Sequence, residues 1–401
     1  MLRLILGPDW VANRDEVLRR IARDVKERKP GRILMVPELI SHDMERRLCA
    51  AAGDTASRYA EVLSFTRLLR RVAEAEVLTP EKCLDNGGRL VAMASATRGL
   101  SSKLKSYASV ETKPEFLAGL LDAVDEFKRC CISAEDLSAA STQTEGSLAQ
   151  KLEELSLILQ SYDAVCAQGS RDPRDQMNWL LERLEECDFG ANHTFYIDGF
   201  PDFTRQHLAI LTHLIRVAPC VTVSLNCDRI RSGKAAFEKA GQTASELYRA
   251  ATELGVAVEI VEIPGRRDAL SLVRDRLFQG PVEPCEELKE HLFLTRSDSV
   301  FDECSAAAEQ IMALVSSGCR YRDIGIVCTD MQQYRGILSL VFHRSRIPVY
   351  LSGSDDILEK AAVATVLCGL DAAIDGLDQR DVLRFLKSAL SPLSPEMCDR
   401  I

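Results

Sequence analysis

Short, mostly apolar runs alternating with amphipathic stretches constrain this chain more than any other feature. The runs are LRLIL (2–6), ILMV (33–36), EVLSF (61–65), TFYI (194–197), VTVSL (221–225) and AVEIVEI (257–263). Runs of four to seven residues closed by Gly, Pro or Asp read as strands, and near-continuous apolar character marks strands buried on both faces. Between the first two, the pattern over 14–29 puts Val17, Leu18, Ile21 and Val25 on one helical face. Further helices are expected over about 42–52 and from Thr66. Strand–helix alternation of this kind implies a parallel sheet covered by helices. Asn13 and Glu16 have the N-cap and N3 spacing of a capping box, so the first helix is expected to open at Asn13.

From about residue 80 to 187 the strand signals stop. Stretches such as EFLAGLLDAVDEFKRC and SLAQKLEELSLILQSYDAV carry helical periodicity only, which reads as an all-helical insertion. The Pro-containing acidic stretch QGPVEPCEELKE (279–290) marks a boundary. Beyond it a helix at 302–316, a strand IGIVC (324–328), a helix at 331–343 and a strand PVYL (348–351) open a second α/β unit. The organisation expected is an α/β domain from 1–80 plus 188–285, a helical insertion at 81–187, and part of a second α/β domain at 286–401. The closing SPEMCDRI reads as a fresh helix start, so a piece of a longer protein is expected.

Sixty acidic against fifty basic residues give a net charge of −10, which is not the footprint of a protein that coats nucleic acid electrostatically. No apolar run reaches the ~20 residues of a membrane helix, and the N-terminus lacks a secretory pattern. The fourteen cysteines form no C-x-x-C pair or zinc-type cluster, so reduced core cysteines in a cytoplasmic protein are expected. The six histidines (42, 193, 207, 213, 291, 343) show no metal or triad spacing. His207 and His213 share one amphipathic helix and read as surface or cap residues.

Two constellations sit where nucleotide chemistry would be placed. Residues 7–14 match G-x-x-x-x-G-K-[ST] only at Gly7. Ala12 stands for the second glycine, Asn13 for the lysine and Arg14 for the hydroxyl residue that binds Mg²⁺. Pro8 removes an amide donor and Trp10 adds bulk. The second constellation, FYIDGFPDF (195–203), has the strand-end aspartate of a Walker-B element at Asp198, but Gly199 replaces the water-positioning glutamate. Against the D-E-x-Q-D motif of superfamily 1 helicases, Asp202 fits the last position and Pro201 replaces the glutamine. A plain strand-to-helix turn and a plain aspartate cap account for each stretch alone; their coincidence reads as an inactivated motor domain without a bound cofactor.

The ordered segments VPEL (36–39), VLSFTRLLRRV (62–72), LDAVDEFKRCCISAEDL (121–137), FYIDGFPDFTRQHLAIL (195–211) and YRDIGIVCTDMQQYRGILSLVFHRSRIPVYL (321–351) resemble the N-terminal part of the AddB-type helicase/deoxyribonuclease family. The resemblance implies a helicase-like, phosphate-loop-NTPase-like parallel α/β domain with an inserted all-helical subdomain and the start of a second α/β domain. It also implies a partner, an AddA-type motor subunit, and a role in repair by recombination in which the 3′-ended single strand is threaded and scanned. The family's nuclease domain, with its iron–sulfur cluster, lies near the far C-terminus, so neither is assigned to these residues. The motor's usual arginine after the strand at 324–328 is replaced at or near Asp330.

The family's strand-reading positions carry over to Phe65, Arg67 and Ser41, and helicase geometry adds Phe200 and Phe203. An aromatic face stacks a base, worth ~1–3 kcal/mol, and a guanidinium takes a phosphate or base edge. Phe65 also fits as a core residue at a strand end, Arg67 as a surface charge at a helix start, and one of Phe200 and Phe203 as core. Leu39 and Ser41 stand where the family has glutamine and threonine, and Leu39 cannot read a base edge by hydrogen bond. Two further readings are a scaffold that holds the motor subunit and a residual nucleotide-binding protein in which Arg14 replaces the lysine. No catalytic residue is expected.

Overall fold

A computed structural model describes residues 1–75, 83–107, 113–231, 234–266, 268–277, 279–281, 283–352, 357–374, 376–388, 390 and 393–398. The chain divides into two compact units, Met1–His291 and Leu292–Ile401.

The first unit opens with β1 (Leu2–Leu6), α1 (Trp10–Lys26), β2 (Arg32–Met35), α2 (Ser41–Ala52), β3 (Ala60–Leu63) and α3 (Phe65–Ala75). The start of α1 differs from the sequence expectation. Asp9, not Asn13, is its N-cap, accepting from the amides of Val11 and Ala12. A carboxylate one residue before the helix reaches these free donors directly, whereas Asn13 lies in the second turn and spends its amide elsewhere. Likewise Phe65 does not close β3. It begins α3, because Ser64 leaves the strand and its hydroxyl accepts from the Arg67 amide, 3.2 Å away.

The helical segment follows as α4 (Asn86–Gly99), α5 (Pro114–Arg129), α6 (Ala134–Thr142), α7 (Gly146–Ala167), α8 (Gln176–Glu186) and the short α9 (Phe189–Asn192). Helices α4, α5, α6 and α7 build a core of their own around Met93, Leu120, Val124, Ile158 and Tyr162. A buried ionic knot ties them to the segment leading into α8. Asp172, fully buried, accepts from the Tyr162 hydroxyl at 3.1 Å and pairs with Arg89 at 3.1 Å and Lys128 at 3.3 Å. Burial alone would lower the Lys128 pKa, but Asp175, Asp163 and Asp172 around it raise it, so it stays charged.

The strands resume with β4 (Thr194–Ile197), α10 (Arg205–Val217), β5 (Val221–Leu225), α11 (Glu238–Glu253), β6 (Val258–Glu262) and α12 (Ala269–Arg276). All six strands pair in parallel in the order β3-β2-β4-β5-β1-β6. Alternate side chains feed two cores, as the pleat requires. Leu2, Leu4 and Leu6 join Met35, Ile197 and Val223 on one face, while Ile5 joins Leu34, Val36 and Tyr196 on the other. Each such side chain contributes roughly 1.5–3 kcal/mol by burial. This is the parallel, helix-covered α/β fold expected, and β5 lies between the strands that lead into Gly7 and Asp198.

In the second unit, α13 (Val300–Ser316) and α14 (Met331–Arg344) bury Ala308, Ile311, Leu338 and Phe342 together; α15 (Ala361–Ile374), α16 (Gln379–Leu386) and α17 (Pro395–Cys398) follow. The strands expected at 324–328 and 348–351 do not form ladders. Both segments lack a neighbouring strand among the described residues, and Val327 and Tyr350 stand 97% and 89% exposed.

All fourteen cysteines are free thiols, but only Cys166, Cys227, Cys304 and Cys398 are buried; five are exposed, so the core-cysteine expectation holds for a minority. Among the described residues no helix is long and apolar enough to cross a membrane.

Candidate functional site

In open parallel sheets, ligands gather at the carboxyl ends of the strands. At the carboxyl end of β1, Gly7 is required sterically. A Cβ there would collide with Asn13 Oδ1 and lie 2.9 Å from the Ile263 carbonyl oxygen. Beyond it, the first turn of α1 presents the amides that in a phosphate loop would hold an anion. Here an internal anion holds them: Asp9 Oδ1 accepts from Val11 at 2.9 Å and from Ala12 at 3.4 Å. Arg266 in turn lies 3.0 Å from the other Asp9 oxygen.

Asn13, in the place of the lysine, turns inward. Its Nδ2 donates to the carbonyls of Gly7 (2.9 Å) and Leu225 (3.1 Å), tying the ends of β1 and β5 together. Arg14, in the place of the Mg²⁺-binding hydroxyl, reaches past β5 to the end of β4. Its Nε donates to Asp198 Oδ2 at 2.8 Å, and both side chains are more than nine-tenths buried. The exposed Trp10 ring stacks 4.7 Å from the Arg14 guanidinium. Gly199, where a motor would carry its glutamate, has φ 82°, and a Cβ would meet Ile40 Cδ1 at 2.8 Å. The two motif-like stretches thus meet, joined by the Arg14–Asp198 pair, while Asn13 is spent on backbone carbonyls. Mg-ATP does not fit these residues: phosphate donors, lysine position and metal carboxylate are all occupied from within. Among the described residues no group of three or more His, Cys, Asp or Glu could hold a metal ion.

The carboxyl ends of β2, β3 and β4 are sealed differently. Phe65 is 5% exposed; its ring stacks on His207 (4.2 Å between centroids, 17° apart) and meets Phe200 edge-on at 5.5 Å. Phe203 follows at 5.2 Å from Phe200. Phe200 and Phe203 are half-buried against the core. His213 is not a surface residue: it is buried, with Nδ1 3.0 Å from Arg216 Nη2; His207 is half-buried and a member of this ring cluster. Burial pushes the His207 pKa down to about 4, against a small opposing effect of Asp202, so it is neutral at pH 7. Asp202 itself pairs with Lys239.

Around the rings lie the remaining expected contacts. Leu39 is 99% exposed on the turn after β2. Ser41 is buried and donates to the Glu38 carbonyl at 2.9 Å. The Glu38 carboxylate accepts from the Ser64 hydroxyl, joining the ends of β2 and β3. Arg67 is half-exposed and pairs with Glu45 at 3.0 Å. Phe65, Phe200 and Phe203 therefore come together, Arg67 stands beside them on α3, and Ser41 faces inward. Asp330 caps α14 in the second unit, accepting from the Gln332 and Gln333 amides. Sequence patterns do not single out Asp9, Trp10, Glu38 or His207 as site residues; only Asp9, an N-cap residue type before an apolar run, carries a local signal.

A six-stranded parallel sheet, interrupted by a helical segment between β3 and β4, defines a helicase-like α/β protein. The chain belongs to the family described as ADDB, N-terminal, whose model matches residues 4–272. Relatives named as the B subunit of an ATP-dependent helicase/deoxyribonuclease occur in Pelotomaculum thermopropionicum (28% identical, covering 99% of this chain and 36% of the relative) and in Acetivibrio thermocellus (25%, covering 92% and 33%). A third, from Clostridium perfringens, is 24% identical over 97% of this chain and 35% of its own length. The chain thus spans about a third of the length of the curated relatives it matches.

Proposed function

We propose that this chain is the non-hydrolysing, strand-guiding region of a helicase–nuclease that processes DNA ends during recombinational repair. An AddA-type partner hydrolyses the ATP, and the 3′-ended single strand runs over the carboxyl ends of β3, β2 and β4. Family membership and the names of the relatives support the helicase–nuclease part of the reading. The observation that carries the non-motor part is the Arg14–Asp198 ion pair, which occupies both the metal-binding and the carboxylate positions of the motifs. Phe200 supplies a partly open ring and Arg67 a half-exposed guanidinium, the pair that single-strand binding needs.

The test is fluorescence anisotropy of a labelled single-stranded oligonucleotide at low and moderate salt. Saturable, salt-weakened binding is expected, reduced about tenfold by Phe200→Ala and by Arg67→Ala, the size of one lost stack or phosphate contact. Absence of binding at low salt would overturn the strand-guiding reading. A rise in melting temperature on adding Mg-ATP would overturn the non-motor reading. The scaffold reading, in which the chain holds the motor subunit, is favoured by the net charge of −10 and takes precedence if no DNA binds.

A further inference from the structure

The last strand of the sheet order has an open side. The β1–β6 ladder uses alternate residues: the Leu2 amide donates to the Ala257 carbonyl at 2.9 Å, and the Ile263 amide donates to the Leu6 carbonyl at 2.7 Å. That phase turns the backbone groups of Val258, Ile260 and Glu262 away from β1. They have no hydrogen-bond partner among the described residues. Natural sheets cover or blunt such an edge, since it is a template for another strand.

Beside this edge, between β6 and α11, runs a groove of about 930 Å³ lined by Arg229, Arg231, Tyr248, Arg249 and Ile260. Tyr248 and Ile260 are 42% and 43% exposed. Arg229, Arg231 and Arg249 make no ion pair among the described residues, in a chain whose net charge is −10. Among the described residues, three unpaired cations and two apolar seats share this groove beside a free ladder of amides and carbonyls.

We propose that an extended acidic segment of a partner protein adds to β6 as a seventh strand. Its backbone pairs with Val258, Ile260 and Glu262, its apolar side chains sit on Ile260 and Tyr248, and its carboxylates meet the three arginines. This is strand addition, in which main-chain bonds supply affinity and alternate side chains supply specificity. A nucleic-acid strand fits less well, because its sugar–phosphate backbone offers no alternating amides and carbonyls, and the ladder of β6 would stay unpaired. The surface lies at the opposite end of the sheet order from β3 and does not depend on the strand-guiding reading.

The experiment titrates the 401-residue chain into a fluorescein-labelled peptide of about ten residues, long enough for one strand. In it every second residue is alternately valine or glutamate and the residues between are threonine, so that one face carries both the apolar and the acidic side chains. Saturable binding is expected. Methylating alternate peptide amides, which leaves the protein untouched, should weaken it at least roughly tenfold by removing ladder bonds. Ile260→Pro should do the same, since an edge strand tolerates proline where the amide faces outward. Arg231→Glu/Arg249→Glu should weaken binding by a similar factor, whereas Phe200→Ala and Arg67→Ala should leave it unchanged. No binding, binding indifferent to amide methylation, or displacement of the peptide by an equal concentration of oligothymidylate would each overturn the proposal.

Discussion

At the ends of β1 and β4 the sheet is closed with charge; at the ends of β3 and β4, a few residues away, it is closed with rings. The first closure consists of Asp9 on two helix amides, Asn13 on two carbonyls and Arg14 on Asp198. Each member is spent on a partner inside the chain. The second consists of Phe65 under His207 with Phe200 and Phe203 along its border. It is held by area and shape, with three of its four rings partly in solvent. The contrast separates two tasks. A self-satisfied polar cluster locks a site against a ligand, because any entrant must first break a buried pair. A half-open aromatic cluster can exchange one ring contact for another at little cost.

The sharpest way to break the comparison is to remove one member of the charged closure. Asp198→Ala leaves a guanidinium buried without a partner, and breaking such a pair costs about 3–5 kcal/mol. Urea unfolding should show this loss in the midpoint with the slope preserved. Replacing both partners, as Arg14→Met with Asp198→Leu, should recover most of it, because an apolar pair of similar volume is often neutral. If the double variant is as unstable as the single one, the pair does more than fill space, and its hydrogen-bond geometry is needed to hold the ends of β1 and β4.

Removing the ring at the centre of the aromatic closure comes next. Phe65→Ala should cost about 3 kcal/mol through lost burial and the remaining cavity, eased by Phe200 leaning inward. Thermal unfolding measures it. A loss below roughly 1 kcal/mol would mean that Phe65 is not a core residue and would restore it as a direct base contact.

How far these two closures can be read from sequence follows from how local they are. The strands in the middle of the sheet are legible because burial on both faces writes a mostly apolar run, as Leu2 through Leu6 and Val221 through Leu225 show. The edge strand β6 is legible instead by its alternation of apolar residues with Glu259 and Glu262. The motifs at Gly7 and Asp198 are visible as departures from a pattern. Their pairing is not, since Arg14 and Asp198 are 184 residues apart and nothing near either names the other. Phe65 is similar: its partner His207 lies on α10, so a ring at a strand end reads equally as core or contact. The start of α1 is ambiguous in sequence because two good capping types, Asp9 and Asn13, compete, and tertiary carbonyls claim the second. The strands expected in the second unit fail for a different reason. Apolar alternation marks what a segment can pair with, and pairing needs a neighbour that the described residues do not supply.

A smaller effect separates the closures by pH. The folded-state pKa of His207 is about 4, below its ordinary 6.5, because burial disfavours the imidazolium. Between these values the unfolded chain binds more protons than the folded one, so stability rises with pH across about 4 to 6.5. The contribution is fully present above 6.5 and is lost as pH falls toward 4. Unfolding midpoints at about pH 4.5 and 7 should therefore differ, and His207→Phe should flatten part of that difference. An unchanged slope in His207→Phe would assign the pH response to other groups.

The smallest expected effect on stability is the most informative about use. Arg67 pairs with Glu45 across a half-exposed surface, and such pairs are worth about 0–1 kcal/mol. Arg67→Ala should thus barely move the unfolding midpoint. If single-stranded DNA lies over this end of the sheet, the same substitution should still weaken binding about tenfold and flatten its salt dependence, because one counterion fewer is released. Glu45→Gln should act in the opposite direction, freeing the guanidinium and strengthening binding slightly. Should both variants leave DNA affinity unchanged while the peptide titration at β6 succeeds, the aromatic closure is structural like the charged one, and the chain's working surface is the open edge of its sheet.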